Sequence, residues 1–367
     1  MTSPAAGHLA PGGAASPAGA GAAGHSGLAT VVVGIDGSAN SRAALRFAAH
    51  EAALRQAALV VVQVLRVGLE HLQPPPQVRA GDGMGLLAML AASPFADATL
   101  GASPPVHVPG VDHRLVEIVE QELGAAAAQT AATETWQGRP ARALVDRSTG
   151  AAMLVVGARG RGGFGGLLLG STADQVLHRA RCPVTVVHRT EGGGSPAGKT
   201  APVGAMAPSG GSAGAMAASG EPVVVGVDAP STPSRAMLDV LRLAADEAAL
   251  RQAPLEVLVV RSTGSDAEGA DAAAGVSATP APDRAATVRN LVEQVSGHRD
   301  LAVSVVVSSG RPAAALVERS RHASLMVIGA RHRGPAGREA ASVHGQVVRH
   351  ASCPVVVLRP GHVPGSR

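Results

Sequence analysis

"VVVGIDGSANSRAALRFAAHEAALRQAALVVVQVL", residues 31–65, and "VVVGVDAPSTPSRAMLDVLRLAADEAALRQAPLEVLVVR", residues 223–261, are two versions of one pattern. Each opens on a flat Val/Ile run (31–35; 223–227), as expected of a strand covered on both faces of a parallel sheet. An amphipathic helix is predicted over 40–56, with Leu45, Ala48, Ala52 and Leu54 among its apolar positions. A second strand follows at 59–65. Strand, helix and strand in this order make a βαβ unit. "EAALRQA" stands at 51–57 and again at 247–253, and seven identical residues inside collinear blocks mark a duplication.

The parallel extends along the chain. "GRPARALVDRSTGAAMLVVGARG" (138–160) matches "GRPAAALVERSRHASLMVIGARH" (310–332), and "STADQVLHRARCPVTVV" (171–187) matches "SVHGQVVRHASCPVVVL" (342–358). One fold is therefore expected twice, over 28–190 and 221–360, between a tail at 1–27 and a short one at 361–367. Residues 191–220 lack any hydrophobic period and read as a flexible linker. An insertion at about 68–112, rich in Pro, Gly and Ala, and a shorter one at about 262–284 both follow the second strand. Within the first copy the pattern continues as a helix near 112–128, a weak strand at 131–137 and a helix at 140–149. Then come a strand at 153–157, a helix at 171–180 and a strand at 183–188. Alternating strands and helices specify an α/β fold: two tandem doubly wound, Rossmann-like open parallel sheets of five strands, with helices on both faces.

Composition excludes several function classes. The net charge is only +4, the arginines are dispersed, and the aromatic residues are one Trp, three Phe and no Tyr. Neither a basic patch nor a stacking surface for nucleic acid results. No apolar stretch reaches the length of a membrane span. Residues 1–27 have neither a basic n-region nor an apolar h-region, so they do not read as a secretory signal. Two cysteines make no disulfide framework, which points to a reduced, cytoplasmic protein. Cys182 and Cys353 occupy equivalent positions before a proline and read as buried small apolar residues.

Two glycine-rich stretches compete as phosphate sites. "GGGSPAGKT" (192–200) matches the P-loop pattern and holds Lys199, the only lysine. A P-loop needs a helix after the loop, and Thr200 instead leads into "APVGAMAPSGGSAG" with Pro202 and Pro208. The match is a coincidence of linker composition, as is the nucleophile-elbow match "GGSAG" at 210–214. "GARGRGGFGGLLLGS" (157–171) has the right context, after a buried strand and before a helix. Its glycines are expected to permit positive φ and close anion approach to backbone N–H groups. Ser171 and Thr172 offer hydroxyls at the positive end of that helix, and Arg159 and Arg161 could screen phosphate charge. The alternative is a simple mobile connection. Asp36, at the end of the first strand on the same sheet edge, either meets a ribose, an adenine amino group or Mg²⁺, or caps the next helix, as Ser38 also could. Asp228 is its counterpart.

With "VVVGIDGS", "GARGRGGFGGLLLGS" and "CPVTVV" in these places, the chain resembles the universal stress protein family in its tandem form. The family's signature of Gly, two residues, Gly, nine residues, Gly and Ser or Thr is met by Gly157, Gly160, Gly170 and Ser171. The resemblance implies an ATP-binding regulator of a stress response and not a fast enzyme. It implies a nucleoside-binding turn at Gly34, Ile35 and Asp36, an adenine contact at Val64, and a phosphate cradle of Gly157, Gly160, Gly170, Ser171 and Thr172, often with a divalent metal. It further implies pairing through the last strands, between the two copies or in a homodimer, and regulatory protein partners. The alternative is a slow ATPase or another adenylate-using enzyme on the same fold. In the second copy Gly329 is kept, but His332 and Ala341 replace the next two glycines and the loop is one residue shorter. A Cβ where φ must be positive costs about 1 kcal/mol, so ATP is expected on the first copy. Lys199→Ala is expected to leave ATP affinity unchanged in an equilibrium titration.

Overall fold

Valine is the commonest residue of the strands because its branched Cβ suits a pleated surface packed on both sides. The computed structural model describes residues 29–65, 104–110, 112–160, 169–188, 220–227, 233–261, 284–297, 300–330 and 343–361. The P-loop match with Lys199, the "GGSAG" match, Arg161, Asp228, His332 and Ala341 lie outside them. In the first half the elements are β1 (Thr30–Ile35), α1 (Ala39–Leu54), β2 (Ala58–Leu65), β3 (Val106–Val108), α2 (His113–Leu123), α3 (Ala125–Thr130), β4 (Ala132–Gln137), α4 (Pro140–Arg147), β5 (Met153–Gly157), α5 (Ser171–Arg179) and β6 (Val184–Val187). In the second half they are β7 (Val223–Val227), α6 (Arg235–Leu250), β8 (Leu255–Arg261), α7 (Arg284–Ser296), β9 (Val303–Ser309), α8 (Pro312–Arg319), β10 (Leu325–Gly329), α9 (Val343–His350) and β11 (Val355–Leu358).

All eleven strands form one sheet, in the order β3-β4-β2-β1-β5-β6-β11-β10-β7-β8-β9. Each half contributes five parallel strands, and the halves meet where β6 runs antiparallel to β11 with Val186 opposite Val355 and Val184 opposite Val357. The two expected five-stranded sheets are thus continuous. Alternation along β1 sends Val31, Val33 and Ile35 to the face of α1 and α2 and Val32 to the face of α4 and α5. Each fully buried valine contributes about 1.5–2 kcal/mol through removal of apolar surface from water.

Two local departures from expectation have physical causes. The helix expected over 112–128 breaks at Gly124, whose φ of +81° ends α2 before α3 begins. The insertion was expected to end at about 112 as an excursion beyond the sheet. Its last part instead returns as β3, antiparallel to β4, with Val106 opposite Gln137 and Val108 opposite Thr135. There His107 packs edge-on against Trp136 with ring centroids 5.2 Å apart. The weak strand "ATETWQ" thereby gains a second neighbour, whereas β9, "VSVVVSS", pairs only with β8 among the described residues.

The repeated heptad lies where the halves meet. Glu51 and Glu247 are almost fully buried, with side chains 0% and 3% exposed. Arg55 contacts both carboxylates and Arg251 contacts both, closing a ring of two acids and two bases across the seam. Burial works against the Arg55 charge, but Glu247 and Glu51 outweigh it and hold its pKa above the usual value. The next residues close the helices identically. Gln56 and Gln252 adopt φ of +51° and +52°, with Ala57 N–H donating to the Ala52 carbonyl and Ala253 N–H to that of Ala248 at 2.8 and 2.9 Å. This is a Schellman closure with glutamine in the left-handed position.

Removing one member of such a ring leaves buried charges without a partner. Glu51→Ala is expected to cost about 3–5 kcal/mol, read as a drop in the urea unfolding midpoint.

Candidate functional site

Strand order reverses between β1 and β5, and open α/β sheets take ligands beyond the carboxyl ends of the strands at such a point. Two connections leave the sheet there: the turn Asp36-Gly37-Ser38 from β1 into α1, and the segment from Ala158 that leads to α5. The turn is tight because Gly37 sits at φ +77°. Ser38 caps α1, its Oγ accepting from the Ser41 N–H at 3.3 Å, and Asp36 Oδ1 accepts from the Ser38 N–H at 2.9 Å. Of the two candidates for the cap, Ser38 takes it. The Asp36 carboxylate folds over its own turn toward the other connection.

The connections are tied together. Ser38 Oγ donates to the Arg159 carbonyl at 3.2 Å. A Cβ on Gly160 would stand 2.4 Å from Asp36 Oδ2, so glycine is what lets the carboxylate and this segment meet. A Cβ on Gly157 would stand 2.7 Å from the Asn40 carbonyl carbon and 2.8 Å from the Ser41 nitrogen, both backbone atoms that cannot rotate away. Gly157 therefore lets the first turn of α1 cross the end of β5. Gly170 N–H donates to the Ala158 carbonyl at 2.7 Å, closing the neck from which residues 161–168 depart. Ser171 and Thr172 then open α5, the former exposed and the latter half-buried. Two helix N-termini, each carrying roughly half a positive charge, thus converge on residues 157–160 beside the exposed Arg159.

The expectation of positive φ in the glycine run is corrected for the described glycines. Gly157, Gly160 and Gly170 are absent from the left-handed region, and Gly170 stands at φ −78°. At Gly157 and Gly160 the cause is space. At Gly170 a Cβ would meet the Ala158 carbonyl at an ordinary 3.4 Å.

The structure separates the remaining expected residues. The missing Cβ of Gly34 makes room for Leu144 of α4, which would lie 2.7 Å away. Ile35 is buried on the α1 face and Val64 half-buried on the α4 face, so neither side chain joins the Asp36–Gly160 junction. Sequence reading offered Ser38 only as a helix cap and passed over Gly37 and Ser41 as parts of this junction. The signal was the turn length: three residues separate β1 from α1, against seven between β7 and α6. In the second half Ser234 caps α6 as Ser38 caps α1. A Cβ on Gly329, however, would among the described residues meet the Val240 side chain, at 3.1 Å, where the one on Gly157 meets a helix backbone.

His188 follows β6 on this same edge, and both of its ring nitrogens are buried without a hydrogen bond. Burial pulls its pKa below 6.5, Arg159 and His350 act in the same direction, and the Val348 backbone opposes them. Burial likewise pushes the Cys182 and Cys353 thiols up to about 12, as befits inert packing residues. Among the described residues no cluster of three or more His, Cys, Asp or Glu could hold a metal, and no helix is long and apolar enough to cross a membrane.

A model of the universal stress protein family matches residues 28–188 and 221–359. The chain is 32% identical over 344 residues to universal stress protein Rv2623 of Mycobacterium tuberculosis strain H37Rv, covering 90% of this chain and 96% of that one. It is 29% identical over 335 residues to a universal stress protein of Mycolicibacterium smegmatis, with 90% and 97% covered. A universal stress protein crystal structure from Archaeoglobus fulgidus superposes with a TM-score of 0.53 at 16% identity, covering 90% of this chain and 96% of that one.

His188 binds protons more weakly folded than unfolded, and so does His50, whose pKa burial also lowers. As pH falls through 6.5 the unfolded chain takes up protons first, so stability is lost on the acid side. Urea titrations between pH 8 and pH 5 are expected to show this loss, and His188→Leu to reduce its slope.

Proposed function

The chain belongs to the universal stress protein family, and we propose that its first half binds ATP and acts as a nucleotide-responsive regulator in the cytoplasm. One observation carries the reading: the Asp36–Gly160 junction, where two connections converge with two helix N-termini at the strand-order reversal. Such a place favours an anion through backbone N–H groups and dipoles, with Arg159 adding charge. Only a glycine at 160 leaves this space beside a carboxylate open. The residues fit a nucleotide on these grounds. Gly157, Gly160, Gly170, Ser171 and Thr172 would receive the phosphates, Arg159 and Arg161 would screen them, and the Gly34-Ile35-Asp36 turn with Val64 would hold the nucleoside. Where Mg²⁺ accompanies the phosphates, Asp36 would be the carboxylate that helps retain it.

The domains run from 28 to 190 and from 221 to 360, and the nucleotide belongs to the first. In the second, the seven residues between β7 and α6 and, among the described residues, the contact of Gly329 with the Val240 side chain support weak binding or none. Occupancy would act by changing shape or affinity for a regulatory protein and not by turnover.

Isothermal titration of the purified chain, stripped of co-purifying nucleotide, is expected to give one ATP per chain. Gly160→Val with Gly170→Val should lower affinity more than tenfold, whereas unchanged binding would refute this assignment. A single-turnover assay with Mg²⁺ should show hydrolysis no faster than a few turnovers per hour.

A further inference from the structure

His188 stands at the carboxyl edge of the first half, and nucleotide binding as described leaves it unused. β6 ends at Val187, whose carbonyl accepts from the Ala158 N–H at 2.8 Å, so His188 leaves the sheet beside Ala158 and Arg159. Alternation along β6 puts Val187 on the α1 face and Val184 and Val186 on the face of α4 and α5, and His188 continues the latter. The antiparallel register sets Val355, the first residue of β11, opposite Val186. The carboxyl end of α9, which feeds β11, therefore arrives at this same edge. His188 lies between an arginine of the candidate nucleotide site and the end of a helix from the other half.

Both ring nitrogens are buried without a hydrogen bond. An imidazolium there would be favoured by the Val348 backbone and by the negative end of the α9 dipole. Burial and two cations oppose it: Arg159 from the segment after β5, and His350 from the last turn of α9, which also carries Arg349. α5, on the same face, brings its Asp174 and His178 within 3.9 Å of each other. The second half shows the charged alternative. Its counterpart of His188 is Arg359, a permanent cation, which donates to the Ala180 carbonyl at the carboxyl end of α5, at 3.3 Å. One position of the repeat thus carries a fixed charge in one half and a titratable group in the other.

We propose that His188 relays nucleotide occupancy of the first half to α9 of the second: phosphate on Arg159 draws a proton from solvent onto the imidazole, which then donates to the carboxyl end of α9 as Arg359 does to α5. This rests on the ATP reading proposed above, in which phosphate cancels the repulsion from Arg159. The residue as a whole is only half-buried, which leaves the proton a path from solvent. ATP binding near neutral pH therefore takes up protons, and by reciprocity the affinity rises as pH falls.

Calorimetric titration of the full chain with ATP, in buffers of different ionisation enthalpy at pH 6.5 and pH 7.5, counts the protons exchanged. Wild type is expected to take up more protons per ATP than His188→Gln, a difference from which the titration of ATP itself cancels. Its affinity relative to that variant should rise by about twofold or more from pH 7.5 to pH 6.5. Amide exchange in α9 should slow on ATP addition at pH 6.5 in wild type and not in the variant. Equal proton counts with ATP bound by both, or exchange in wild-type α9 that ignores ATP, would overturn the relay and leave the ATP reading standing. A chain that binds no ATP would overturn both. Should the variant not fold, histidine-labelled wild type gives the answer by NMR. A ring that titrates below pH 6.5 should move its midpoint upward on ATP addition, and no such movement would equally overturn the relay.

Discussion

Two carboxylates and two guanidiniums held out of water are expensive, since desolvation alone costs several kcal/mol per ion. The seam offsets this by giving each arginine both carboxylates and each carboxylate both arginines, so no charge is left without a partner. Such rings add little net stability over an apolar contact of the same shape, but they punish misalignment severely. Alignment is what the rest of the molecule needs. α1 carries Glu51 near its carboxyl end, with Arg55 as the residue that ends it, and lays its first turn over Gly157 at the other end. One rigid helix of about 24 Å therefore ties the seam to the candidate nucleotide site.

This arrangement accounts for the repeat that exposed the duplication. Glu51 and Arg55 supply the ring, Ala52 is buried, Gln56 takes the left-handed closing position, and Ala57 completes the closure. Their counterparts do the same in the second half. Within the heptad, Glu51 and Arg55 make cross-half contacts whose mirror images the second half supplies, while Gln56 and Ala57 close the helix of their own half.

Most of the fold was legible because its signals are local. Valine runs and the amphipathic 40–56 segment fell on the elements they indicated, and the glycine run starts at the end of β5 and gives way to α5 at Ser171. The strand order and the continuity of the two sheets depend on long-range pairing, which no local period encodes. β3 was hidden for a related reason: three residues in a Pro- and Gly-rich insertion become a strand only because β4 offers an edge. At the candidate site, Gly157 and Gly160 drew notice for a backbone freedom they do not use. What singles them out is tight crossing between segments distant in sequence, visible only when Asn40 and Asp36 are seen beside them. Among the described glycines of this site Gly37 is the one with positive φ, and it stands in the short turn after β1.

The antiparallel register of β6 and β11 has a directional consequence. It turns the second half end over end, so the carboxyl ends of its strands face away from those of the first. The carboxyl ends of the strands thus lie on two opposed edges of one sheet, with Asp36 and Gly160 at the edge that belongs to the first half. A protein that senses the first edge and one that grips the second would approach from opposite sides without colliding.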